Sequence, residues 1–94
     1  MAIKVMCLGL PLHGPTQVSI ELGPNVGLTL RELITRYLAP QFDGDLVKTL
    51  FDSKDLRESY VILVNGRNAM GLGGLDVPLG DETEVLIIPP VGGG

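Results

Sequence analysis

Glu84-Val85-Leu86-Ile87-Ile88-Pro89-Pro90-Val91-Gly92-Gly93-Gly94 is the stretch from which the rest of this 94-residue chain is read. Val85 to Ile88 form an unbroken aliphatic run, the pattern of a strand with apolar cover on both faces. Pro89 and Pro90 have fixed φ and no N–H, so they end the ladder and stiffen the exit. Gly92, Gly93 and Gly94 then give a thread with no side chains. At roughly 3.3–3.6 Å per extended residue, Pro90 to Gly94 span on the order of 17 Å. A thread so slim can enter a narrow tunnel in another protein and present its α-carboxylate there. A frayed terminus is the alternative, but a double proline straight after a strand, with no polar spacer, favours the presented tail.

Working outward, the remaining elements read as two strands, a helix and further strands. Ala2 to Leu8 alternate, with Ile3, Val5 and Cys7 on one face and Lys4, Met6 and Leu8 on the other. Gly9 to Pro15 is a turn-rich connection holding the single histidine, His13, as a solvated loop residue. Gln17 to Leu22 resumes alternation with Val18, Ile20 and Leu22 inward, which completes a β-hairpin. Gly23-Pro24-Asn25 breaks the strand. Thr29 with Glu32 three residues on matches a capping box, and Leu30, Leu33, Ile34, Tyr37 and Leu38 form one apolar stripe. Pro40 is expected to end that helix. Asp45 to Phe51 has the length for a short second helix with Leu46, Leu50 and Phe51 inward, and Asp52 to Glu58 reads as a solvated loop. Tyr60 to Val64 reads as a central strand, Asn65-Gly66 as a tight hairpin turn, and Arg67 to Met70 as a short return strand.

This order predicts an α+β, β-grasp (ubiquitin-like) architecture: a mixed sheet of four to five strands on one main helix, with the short helix at 45–51 as an addition. The first and last strands are expected to be parallel neighbours in the middle, joined through the helix. One domain is expected over 1–91, with 92–94 as a flexible C-terminal glycine tail. In this pleat Val85 and Ile87 face the helix, and Leu86 and Ile88 face outward beside Met6 and Leu8. Met6, Leu8, Met70, Leu86 and Ile88 then form an exposed apolar patch leading to the tail, the usual mark of a protein partner. Its rival is that the segment 40–59 folds over and covers them.

Several function classes are excluded by composition. Net charge is −4, from 11 acidic and 7 basic residues, and Trp is absent, so neither a nucleic acid nor an anionic membrane is expected as a partner. No apolar run approaches the ~20 residues of a membrane span. Cys7 is the only cysteine, which fits a reducing compartment and a cytoplasmic location. It reads as a core thiol; its rival role as a persulfide or nucleophile lacks an electropositive, accessible setting. His13 has no Cys or second His at ligand spacing, so no metal site is expected. Gly71-Leu72-Gly73-Gly74 lacks the lysine and following helix of a phosphate loop and reads as a flexible loop.

The segment Leu79 to Gly94, with Gly80-Asp81-Glu82 ahead of the strand and Pro89-Pro90-Val91 ahead of the glycines, resembles the end of the ubiquitin-like sulfur-carrier family. These are the MoaD/ThiS-like proteins, including the small subunit of molybdopterin synthase. Ile3-Lys4-Val5 and Val64-Asn65-Gly66 extend the resemblance over essentially the whole chain. It implies a sulfur carrier, not an enzyme, with no bound cofactor. An ATP-dependent adenylating enzyme of the ubiquitin-activating kind would join AMP to the Gly94 carboxylate. A persulfide sulfur donor would then leave a thiocarboxylate. The sulfur would pass to an acceptor held by a synthase large subunit or another acceptor enzyme, a pterin precursor of molybdenum cofactor biosynthesis being favoured over a thiazole precursor, an amino acid or tRNA. Leu8, Met70 and Ile88 match the family's hydrophobic contacts to its partners. One departure is Gly92, where the family has a non-glycine residue; it leaves open an added terminal glycine, with the native end at Gly93. The alternative function is a ubiquitin-like modifier joined through Gly94 to lysines.

Overall fold

The computed structural model describes residues 1–23 and 27–90. Pro24, Asn25 and Val26 lie outside the described residues, as do Val91, Gly92, Gly93 and Gly94, so the readings made on them stop at the sequence. Strands β1 (Ala2–Cys7) and β2 (Gln17–Glu21) make the expected antiparallel hairpin, with Ile3 opposite Ile20 and Val5 opposite Val18. The long connection between them is tied at its base, where the Cys7 N–H donates to the Thr16 carbonyl at 2.8 Å.

The helix begins where its capping chemistry puts it. Thr29 Oγ1 accepts from the Glu32 N–H, and a Glu32 carboxylate oxygen accepts from the Thr29 N–H at 3.1 Å, so two N-terminal donors are satisfied reciprocally. The helical run that follows differs from a plain α-helix. One α-turn, α1 (Leu30–Glu32), widens into a π segment (Leu33–Leu38) and closes in a 3₁₀ turn (Ala39–Gln41). Pro40 therefore does not stop the run; it lies within that final turn, near whose start a missing N–H costs no bond. Leu30, Leu33, Ile34 and Leu38 are completely buried, as the stripe predicts.

Helix α2 (Leu46–Leu50) is present, with the Asp45 carboxylate accepting from the Lys48 N–H at 3.0 Å and Leu46, Leu50 and Phe51 buried. The charged stretch after it is not an open loop. It folds as a small hairpin of β3 (Phe51–Asp52) and β4 (Asp55–Leu56), held from behind by Arg57, whose guanidinium donates to the Lys48 carbonyl. Arg31 ties this hairpin to the helix, donating to the Lys54 carbonyl at 2.6 Å while pairing with Asp76 at 3.2 Å.

Strand β5 (Val61–Val64) turns through Asn65 (φ 51°) and Gly66 (φ 82°) into β6 (Arg67–Asn68), the turn that Asn-Gly predicts. The return strand stops two residues early because Ala69–Leu72 and Gly74–Asp76 wind into 3₁₀ turns; the glycine-rich loop is thus structured. Strand β7 (Thr83–Ile88) ends where Pro89 begins. The five-stranded sheet runs β2-β1-β7-β5-β6, with β1 and β7 parallel in the middle and β5 antiparallel to β7. Strand β5 accordingly sits beside the central strand and does not occupy the centre.

One face of this sheet carries the core. Ile3, Val5, Cys7, Ile62, Val64, Val85 and Ile87 are buried together with the helical stripe. Among the described residues no element lies over the other face, so the aliphatic run of β7 is covered on one side only: Leu86 and Ile88 are half-buried. Here the expectation of two-sided cover fails, and strict alternation takes its place. The mixed sheet, main helix and short second helix are those of the β-grasp fold.

Candidate functional site

The exit of β7 is the site the sequence points to, and four neighbours shape it. Leu86 lies opposite Met6 on β1 and Leu63 on β5, and Ile88 lies opposite Val61. One residue past β1, the Leu8 N–H still donates to the Ile87 carbonyl at 3.1 Å, so Leu8 is carried to the end of the ladder beside Ile88. Met6 and Leu8 are 42% and 44% exposed, an apolar area left in water beside the end of β7. Met70, 49% exposed, stands on the 3₁₀ turn after β6, on the far flank of the sheet.

The segment 40–59 does not cover these residues. Phe42, Leu46, Leu50 and Phe51 are drawn into the core on the helix side, which leaves the outer face open. Leu72, 37% exposed on the same turn as Met70, belongs to this set of exposed apolar residues and was missed. Its signal was a lone leucine among glycines, which the loop reading passed over.

Pro89 is half-buried and Pro90 exposed, so cover falls away from the first proline to the second. Gly9 contributes to that exit. It has φ +62° and lies so that a Cβ there would meet Pro89 Cγ at 3.7 Å, which places the loop after β1 alongside the first proline. The reading that Val91, Gly92, Gly93 and Gly94 continue outward lies outside the described residues.

The titratable groups near this end are quiet ones. Cys7 is buried on the inner face and desolvation pushes its thiol up to about 11, so it stays protonated and unreactive near neutrality. At the other end of the sheet the Ala2 N–H donates to Asp81 at 2.7 Å and holds its carboxyl below the usual range, against an opposing desolvation; the N-terminal amine and the Glu82 N–H add to the lowering. His13 is exposed, its carbonyl accepting from the Asp43 N–H at 2.7 Å. Among the described residues no three His, Cys, Asp or Glu side chains are grouped to hold a metal, and no helix is long and apolar enough to cross a membrane.

Comparison with known proteins decides what kind of chain this is. The ThiS family model matches residues 15–94. The chain belongs to the ThiS family. This places it among the ubiquitin-like proteins of MoaD/ThiS type, a small carrier fold and not a catalytic one. No curated protein matches it by sequence. Among solved structures it is similar to SAMP1 of Haloferax volcanii, with a TM-score of 0.74 and 19% identity over 100% of both chains. It is also similar to CysO from the BexX/CysO complex of Amycolatopsis orientalis, with a TM-score of 0.74 and 23% identity, covering 98% of this chain and 99% of that one. The small archaeal modifier protein 1 of Methanosarcina acetivorans gives a TM-score of 0.65 and 26% identity over 99% and 96% of the two chains. These likenesses agree with the β-grasp sheet and helix of this ThiS-family chain.

Proposed function

We propose that this protein is a cytoplasmic sulfur carrier whose terminal glycine is activated by a partner enzyme and converted to a thiocarboxylate. The observation that carries the reading is the ThiS-family match running through Gly94, on a strand that ends at Ile88 just ahead of two prolines. A carboxylate is a poor electrophile until one oxygen becomes a leaving group. An adenylating enzyme supplies that change by joining the Gly94 carboxylate to AMP and releasing pyrophosphate from ATP. The terminal sulfur of a persulfide donor then attacks the carbonyl carbon and expels AMP, giving an acyl disulfide. A second thiol takes the donor's sulfur as a disulfide and frees the thiocarboxylate. The carrier provides the reacting terminus and a docking face; acid, base and nucleotide site belong to the partner. Met6, Leu8, Met70, Leu86 and Ile88 form that face, for the adenylating enzyme and for the synthase large subunit or other enzyme that holds the sulfur acceptor. A pterin precursor of molybdenum cofactor biosynthesis is the favoured acceptor, on the double-proline tail.

Intact mass measures this directly. After incubation with the adenylating enzyme, ATP and a persulfide donor, the carrier should gain about 16 Da, the difference between sulfur and oxygen. A chain ending at Val91 should gain nothing while keeping its melting temperature; gain of mass in that variant overturns the assignment. Conjugation to lysines is the second reading, favoured by the likeness to a small archaeal modifier protein at 26% identity. It predicts products of higher mass linked through Gly94 to substrate lysines in place of the 16 Da gain.

A further inference from the structure

The outer face of the sheet is divided along its strands, and the division identifies the partner's chemistry. The half nearest the tail is apolar: Met6 and Leu8 on one strand, Leu86 and Ile88 on the next, Leu63 on the third. Toward the start of β1 and β7 the same face changes character. Glu21, Glu82 and Glu84 border one shallow depression there with Lys4 among them, and Asp81 lies at its end, bonded to Ala2. These four carboxylates meet two cations, Lys4 and the N-terminal amine. Lys4 is the register partner of Glu84 across β1 and β7, but no ion pair joins them, and Glu84 has no ion-pair partner within 4.0 Å among the described residues.

Glu84 also stands at the boundary between the halves. A second depression, of about 240 Å³, has an apolar floor of Met6, Leu63 and Leu86, with Lys4 and Glu84 at its edge. An apolar trough that ends at an unpaired carboxylate matches a side chain with an aliphatic stem and a cationic tip, and arginine matches it best. We propose that the protein partner docking on this face is apolar at its centre and bordered by basic residues, one of which lies along Met6, Leu63 and Leu86 with its charge on Glu84. This rests on the carrier reading above and names the partner surface that reading requires. Opposite charge at the border also steers the encounter, so association should be faster at low salt.

The test uses the adenylating enzyme from the same genome and ATP–pyrophosphate exchange, with the full-length carrier as the varied substrate. E82K/E84K should raise KM about tenfold and leave kcat within about twofold. D52K/E58K makes the same change in net charge on the β3–β4 side and should shift KM less than about twofold. The wild-type KM should rise between about 50 and 300 mM salt, and that of E82K/E84K should not. All of these side chains are exposed, and melting curves check that each variant folds. If the wild type is exchanged and E82K/E84K matches it in KM and salt response, the basic partner surface is overturned and the carrier reading stands. If the wild type itself supports no exchange, the carrier reading falls and this inference falls with it. A concentration-dependent dimer that E82K/E84K abolishes assigns the face to self-association and likewise overturns the proposal.

Discussion

Toward their C-terminal ends strands β1 and β7 are apolar on both faces, yet the faces have different fates. Val5, Cys7, Val85 and Ile87 point under the helix and are buried; of the alternate residues, Met6 and, just past β1, Leu8 are the more exposed, and Leu86 and Ile88 are half-buried. Hydrophobicity alone does not separate the two sets. What separates them is that a single helical layer exists, and it lies on one side. Apolar residues on the covered face stabilise the fold, and apolar residues on the bare face have no folding role of comparable size. Their exposure beside the end of β7 is what the proposed docking face rests on.

The largest expected effect tests that asymmetry directly. Ile87→Ala should cost about 2–4 kcal/mol in urea unfolding, and its neighbour Leu86→Ala less than about 1 kcal/mol. Equal costs would mean that the outer face is packed after all. A second way to probe the covered side is at the tip of the first hairpin. A Cβ on Gly14 would collide with the buried ring of Phe42. Gly14→Ala should therefore destabilise by about 1–3 kcal/mol, measured the same way, because the ring has little room to retreat. No loss would show that the packing of the 40–59 segment against the hairpin is looser than the structure has it.

Cys7 and Leu8 sharpen the comparison at single-residue resolution, one buried and one exposed. Folded Cys7 keeps its proton up to about 11, whereas the thiol ordinarily loses it near 9.0. Stability fully present below pH 9 should fall as pH rises from 9 toward 11, a fall absent in Cys7→Ala. The same thiol should resist alkylation at pH 8 until the protein is unfolded. The smallest effect is expected at Asp81, whose lowered carboxyl contributes stability above its ordinary titration range that is lost as pH falls through the folded value. Full exposure keeps this small, and acid titrations of wild type and Asp81→Asn should differ only slightly.

Much of the architecture was legible because it is encoded locally. The capping pair Thr29 and Glu32 marks the helix start, Asn65-Gly66 supplies the two positive φ values of a tight turn, and Pro89 ends β7, each through the geometry of a few adjacent residues. The hairpin at 51–56 was not legible. Its strands are two residues long, and its turn holds Ser53 at φ 60°, a conformation that serine does not announce. The 3₁₀ turns after β6 were missed for a related reason: Ala69 and Leu75 are drawn inward by the core, and the backbone winds to bring them there.

By itself the sequence determined the order of the main strands and helices and the inward and outward residues of β1, β2 and β7, since capping, φ preference and side-chain period act between near neighbours. Only the tertiary structure decided that the outer face stays bare. That depends on where the helix and the 40–59 segment lie relative to the sheet, and burial is a property of surfaces brought together from distant parts of the chain.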